Sequence, residues 1–172
     1  ENSQIAIGRD NTATHLDTIA IGRDTHATGS GATALGARAD ASGNNSIAIG
    51  QSGKTSDRVI ASGVNAIAIG MQSQASGESA IAEGPASRAG GKYGVALGRK
   101  SKANAEATTA LGNETEANIA NGVALGSSSV TTTDKGVLGY NPSDLHTRKY
   151  TNLQGNVQTA TTAAVSIGNG QT

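Results

Sequence analysis

The sequence predicts an all-β fold, a narrow parallel β-solenoid with 14-residue coils, and three observations predict it. Nine copies of a motif in which an Ala is followed two residues later by a Gly, mostly with the pattern [Ile/Val/Thr]-Ala-[Ile/Leu]-Gly, end at Gly8, Gly22, Gly36, Gly50, Gly70, Gly84, Gly98, Gly112 and Gly126. The step between these glycines is 14 residues except for one of 20 between Gly50 and Gly70. A fixed short period means one structural unit stacked on copies of itself. Composition points the same way: with no Phe, Trp or Cys and 24 Gly, the chain cannot pack large side chains around one common centre.

The first strand of each coil is the motif itself. In Ile67-Ala68-Ile69-Gly70 the two Ile lie two residues apart, on one face of a strand, with the small Ala68 on the other. A helix would have to accommodate Gly and β-branched residues in every 14-residue window, against its propensities. A second short strand falls five residues after the motif glycine, around Ala13, Ala27, Ala41, Ala75, Ala89, Ala103 and Ala117. Two short strands and two tight turns use up the period. The motif glycine ends the first strand, where the turn calls for a positive φ.

This reading also predicts which face is inside. The bulky pair, for example Ile67 and Ile69, is expected within each coil opposite Ala61 and Gly63. The intervening Ala6, Ala20, Ala34, Ala48, Ala68, Ala82, Ala96, Ala110 and Ala124 are expected to meet neighbouring chains. About ten coils at roughly 4.8 Å each make a rod near 48 Å long. So thin a rod has little interior of its own, and obligate oligomerisation follows as an expectation.

The 20-residue step registers from its downstream end. Ala61 and Gly63 match Ala75 and Gly77 one coil later, so the six extra residues lie between Gly50 and Ile60, in a polar loop over Gln51 to Asp57. Its Gly53-Lys54-Thr55 triplet lacks the upstream Gly and the following helix of a phosphate-binding loop, which argues against a nucleotide site.

Other chemistries are excluded residue by residue. Formal net charge is zero, and no nucleic-acid partner is expected. Without Cys there is no disulfide, thiol nucleophile or thiolate metal site, and His15, His26 and His146 lack metal-ligand spacing. No Gly-x-Ser-x-Gly elbow is present, so no enzyme activity and no cofactor are expected. The chain starts in mid-pattern at Glu1 and stops on Gly170, Gln171 and Thr172, and is therefore expected to be a segment of something longer.

Asn45-Ser46-Ile47-Ala48-Ile49-Gly50, Asn65-Ala66-Ile67-Ala68-Ile69-Gly70 and Gly94-Val95-Ala96-Leu97-Gly98 resemble the Asn-Ser-Val-Ala-Ile-Gly head repeats of YadA-like trimeric autotransporter adhesins. Lys135 to Pro142 and Ala163 to Asn169 are similar to the segments with which such heads close before their neck. The resemblance implies a left-handed parallel β-roll, a homotrimer, and a place on the bacterial cell surface through a C-terminal outer-membrane anchor outside this chain. With it the chain divides into head repeats over 1–142, a polar insertion or capping loop over 143–162 where the period breaks, and a closing segment over 163–172. The function it implies is attachment to host cells, to extracellular-matrix proteins or to cell-surface glycans, with a structural spacer as the alternative.

Two groups of residues depart from the plain repeat. Glu83 stands before its motif glycine where the other eight copies carry Ile or Leu, a charge at a position expected to be core. From Arg88 to Lys102 there are five bases, Arg88, Lys92, Arg99, Lys100 and Lys102, no acid, and Tyr93 among them. This stretch is the candidate ligand surface, a basic belt for acidic glycans or matrix proteins.

Overall fold

The computed structural model describes residues 3–54, 57–132 and the backbone of 165–167. The expected loop over 143–162 and most of the closing segment lie outside these residues. Two parallel sheets form the solenoid, one of ten strands and one of nine. The ten-stranded sheet holds the repeat motifs, from Gln4–Arg9 through Ile67–Ile69 to Val123–Leu125. The nine-stranded sheet holds the short second strands, such as His26–Ala27, Arg88–Ala89 and Lys102–Ala103. Each strand pairs with its counterpart one coil on, in strict repeat register: Ala82 opposes Ala68 and Ala96, and Ala89 opposes Ala75 and Ala103.

The 20-residue coil keeps its neighbours in that register. The Ser52 amide donates to the Ala37 carbonyl, just as Arg38 does to Arg23 one coil earlier, while Val59 pairs with Ala39. The extra residues are therefore 53–58, at one corner. At the far end, Val165–Ile167 runs beside Val123–Leu125 as the tenth strand of the motif sheet.

The faces of the coil are the reverse of the expectation. Ala20, Ala34, Ala48, Ala68, Ala82, Ala96, Ala110 and Ala124 are completely buried inside a single chain, so they have no side-chain surface left for a neighbour. Among the described residues Val59 is the only fully buried apolar side chain that is not Ala. The flanking aliphatics point outward, and Ile67 and Ile69 are half-buried beside the fully buried Ala68. The cause is size. Sheets lined by large side chains stand about 10 Å apart, and a 14-residue circuit with two such short strands encloses too little width for that. Only methyl and hydroxyl groups fit.

Hydroxyls complete the interior. Ser73, Ser87 and Ser101, each three residues after a motif glycine, are buried and donate to the carbonyls of Gly70, Gly84 and Gly98 at 2.9 Å. Thr115 does the same to Gly112 at 3.1 Å. These bonds satisfy buried oxygens on both sides.

The motif glycines meet two requirements at once. Their φ runs from +100° at Gly126 to +149° at Gly50, a region that side chains resist. Close approach matters as much: a Cβ on Gly22 would lie 1.8 Å from the Gly36 carbonyl oxygen of the next coil. The other corners were not foreseen. Fifteen non-glycine residues adopt left-handed φ between 52° and 62°, falling two residues after and five residues before the motif glycines. Asp24, Asn45 and Asn65 suit that conformation, whereas Ala86, Tyr93, Lys100 and Ala107 occupy it at a cost of about 1–2 kcal/mol each.

Two substitutions test this packing by thermal denaturation followed by circular dichroism. Ala82→Leu overfills the coil and is expected to destabilise it by about 1–3 kcal/mol or more. Gly98→Ala, whose Cβ would meet the Gly112 oxygen at 2.3 Å, is expected to lower the midpoint far more than Gly90→Ala, where the nearest atom is the Ser76 hydroxyl at 4.0 Å.

Candidate functional site

With Ala inside, the solenoid presents two unlike outer walls. On the motif sheet the residues flanking each Ala stack in two columns, Ile47, Ile67, Ile81 and Val95 in one, and Ile49, Ile69, Leu97 and Leu111 in the other. Ile21, Leu111 and Leu125 are more than a third exposed, at 36%, 44% and 38%. Over nine coils this wall measures roughly 10 Å by 43 Å, on the order of 400 Å². That is the scale of the largest apolar patch on a typical monomer, which is often a functional contact surface.

Glu83 interrupts this wall. It is exposed in the single chain, between Ile69 and Leu97 in its column, so it is not a core charge as the sequence suggested. The reason is the same reversal of faces: the position before the motif glycine points outward.

The opposite wall is mostly polar. Its strands carry His26, Asp40, Ile60, Gln74, Arg88, Lys102, Glu116 and Val130 in one column, polar except for Ile60 and Val130. The basic stretch of the sequence does not form a belt there. Folding brings acids one coil away beside most of its cations: Lys92 pairs with Glu78 at 2.8 Å, Arg99 and Lys100 with Glu114 at 2.9 and 3.1 Å, and Lys102 with Glu116 at 2.5 Å. Lys92 also lies over the Tyr93 ring, 4.8 Å from its centroid. The Glu78 carboxylate, followed by the Tyr93 side chain, holds the Lys92 ammonium above the usual lysine range. Lys100 and then Arg99 hold Glu114 below the usual carboxylate range. Both groups are open to solvent, so these pairs orient side chains more than they stabilise the fold.

Arg88, Lys100, Lys102, Glu114 and Glu116, with Ala86, Ser128 and Val130, line an open groove of about 750 Å³ across four coils. Arg99 flanks it through its bond to Glu114, whereas Lys92 and Tyr93 are not among its lining residues.

A second charged cluster, missed from sequence, fastens the six-residue insertion. Arg58 reaches back two coils to the Asp24 carboxylate at 3.2 Å and to its carbonyl at 2.8 Å, and lies 3.7 Å from Asp40. Arg38 joins Asp24 at 3.6 Å and donates to the Ser52 carbonyl at 2.9 Å. His26 Nδ1 stands 3.1 Å from an Arg58 guanidinium nitrogen and Nε2 stands 3.4 Å from Asp24. Arg58 must donate in its contact, so Nδ1 accepts and the ring hydrogen sits on Nε2, facing Asp24.

Among the described residues no three of His, Asp and Glu are grouped to hold a metal ion, and no helix is long and apolar enough to cross a membrane.

Two measurements check the polar wall. Arg58→Met leaves Asp24 and Asp40 short of a partner in a mostly buried cluster, and is expected to cost about 1–2 kcal/mol by denaturant unfolding. A carboxyl NMR titration is expected to place the Glu114 midpoint below that of an ordinary glutamate, and Lys100→Ala to return it upward. Because the folded-state pKa is depressed, what this group contributes to stability is present above the ordinary glutamate pKa and lost as pH falls through the depressed value.

Comparison with protein families matches the model described as YadA head domain repeat (2 copies) to residues 5–25, 27–52, 61–87, 89–115 and 103–129. Comparison with curated proteins gives no match. The matched segments cover most of the solenoid, their residues are those whose stacking builds both walls, and the chain belongs to the YadA head family.

Proposed function

We propose that the chain is the head of a bacterial surface adhesin that works as a homotrimer and attaches to host matrix proteins or cell-surface glycans. The observation that carries the reading is the contrast between the two walls. An aliphatic wall that no described residue covers supports a buried interface between copies, and a mostly polar wall opposite supports a surface left open to partners. The interchain contacts then come from the outward aliphatics such as Ile67, Ile81 and Leu97, and not from the alanines. Three copies of each surface site on one head let weak contacts add through avidity. Membership of an adhesin head family supports the location at the cell surface, with the outer-membrane anchor supplied by another part of the protein.

The alternative role is a spacer that holds a distal binding domain away from the membrane. The internal pairing of Lys92, Lys100 and Lys102 with acids favours it, since those cations are already engaged within the chain.

Light scattering over a dilution series is expected to give a trimer that does not dissociate before it unfolds. Ile67→Asp is expected to prevent assembly, because three carboxylates would enter an apolar interface, whereas Gln74→Asp on the opposite wall leaves it intact. A folded wild-type monomer overturns the homotrimer. Binding of the isolated trimer to a panel of matrix proteins and glycans separates adhesin from spacer, the spacer binding none of them.

A further inference from the structure

The groove on the polar wall carries an imbalance. Arg88 and Lys102 are directly opposed on neighbouring strands, two like charges one strand spacing apart, an arrangement that destabilises a sheet. Lys102 turns away from Arg88 to bond Glu116, and Lys100 turns the same way to bond Glu114. On the other side Arg88 faces Gln74, which carries no charge. Among the described residues Arg88 is exposed and makes no side-chain bond. Arg88 thus belongs to the first coil of a groove of about 750 Å³, with Lys100 and Lys102 in the next coil, Glu114 and Glu116 in the third, and Ser128 and Val130 at the far end.

We propose that the cationic end of the groove is an anion-binding site, formed by Arg88 with Lys100 and Lys102, and that its ligand is an extended anionic polysaccharide. A sulfate or carboxylate bridging Arg88 and Lys102 relieves their repulsion, and the planar guanidinium presents the paired donors that such oxyanions accept. Two features favour a sugar chain over a peptide. The strands at the cationic end of the groove, Arg88–Ala89 and Lys102–Ala103, are paired on both sides, so no free edge is offered there for strand addition. The lining supplies charges and only Ala86 and Val130 as apolar contacts, with no pocket for the apolar anchor on which protein partners depend. The groove lies on the wall opposite the aliphatic one and stays open when that one is covered. The inference deepens the attachment reading and rests on it.

The test uses the assembled wild-type protein and an immobilised heparin-derived oligosaccharide, with a hyaluronate oligosaccharide and poly-glutamate as further probes. The wild type is expected to bind heparin, with affinity falling as salt rises. Arg88→Glu is expected to weaken binding at least tenfold, and Arg23→Glu, the same charge change on an exposed residue outside the groove, to change it less than twofold. Glu116→Gln, which frees Lys102, is expected to strengthen binding about threefold. Hyaluronate binding at matched strength assigns the site to carboxylates, and binding of heparin alone assigns it to sulfates. Equal losses in Arg88→Glu and Arg23→Glu, or binding of poly-glutamate in preference to both sugars, overturn the proposal. Binding to matrix proteins but to neither sugar also overturns it and leaves the attachment reading standing.

Discussion

Everything in this molecule depends on how little space one coil encloses. The two sheets approach so closely that the interior takes methyl and hydroxyl groups, and the backbones of successive coils stack so tightly that a Cβ on a motif glycine collides with the next coil's carbonyl. A structure built this way has no room for the side chains that usually supply folding energy. It relies on continuous parallel hydrogen bonding and on hydroxyls such as Ser87 and Ser101 that close off buried carbonyls. The large aliphatics, with no space inside, are turned outward. Association is in this sense the other half of the fold: the apolar surface that a globular domain hides within itself is here hidden, under the proposed assembly, between chains.

The same constraint explains which parts of the fold could be read from sequence. The period, the parallel strands and the place of the insertion were legible, because exact repetition of Ala-x-Gly leaves few ways to stack. The direction of the faces was not. Alternation in Ile67-Ala68-Ile69 separates two faces but does not say which is inside, and the usual preference for burying the larger residue misleads when the interior is narrower than an isoleucine. The recurrence of Ala in all nine motifs did signal close contact, but in eight of them the contact is across the coil, while Ala6 in the first coil is exposed. The left-handed corners were partly hidden because Ala86, Tyr93, Lys100 and Ala107 carry no mark of that conformation.

The surface was misread for a different reason. Reading along the chain groups Arg88, Lys92, Arg99, Lys100 and Lys102 into one basic run, while neighbours on a solenoid are 14 residues apart. Counted at that interval, Lys92 meets Glu78, Lys100 meets Glu114 and Lys102 meets Glu116, and each pair could have been found from the sequence. The cluster of Asp24, Arg38 and Arg58 escapes even this count, since the insertion displaces Arg58 from the period. Such cross-coil pairs also discriminate between alignments of the stack: with near-identical motifs, a slip by one coil would cost the backbone little, but it would set Lys102 against a residue other than Glu116.

The coil that contains residues 53–58 adds to this a distinction between contour and height. It consumes 20 residues where its neighbours use 14, yet the strands on either side of it pair as if nothing had been added. The rod therefore measures length in turns and is indifferent to how much chain a corner spends. Surface variety can accumulate at that corner, by lengthening or by exchange of its residues, while the distance from one end of the head to the other stays constant.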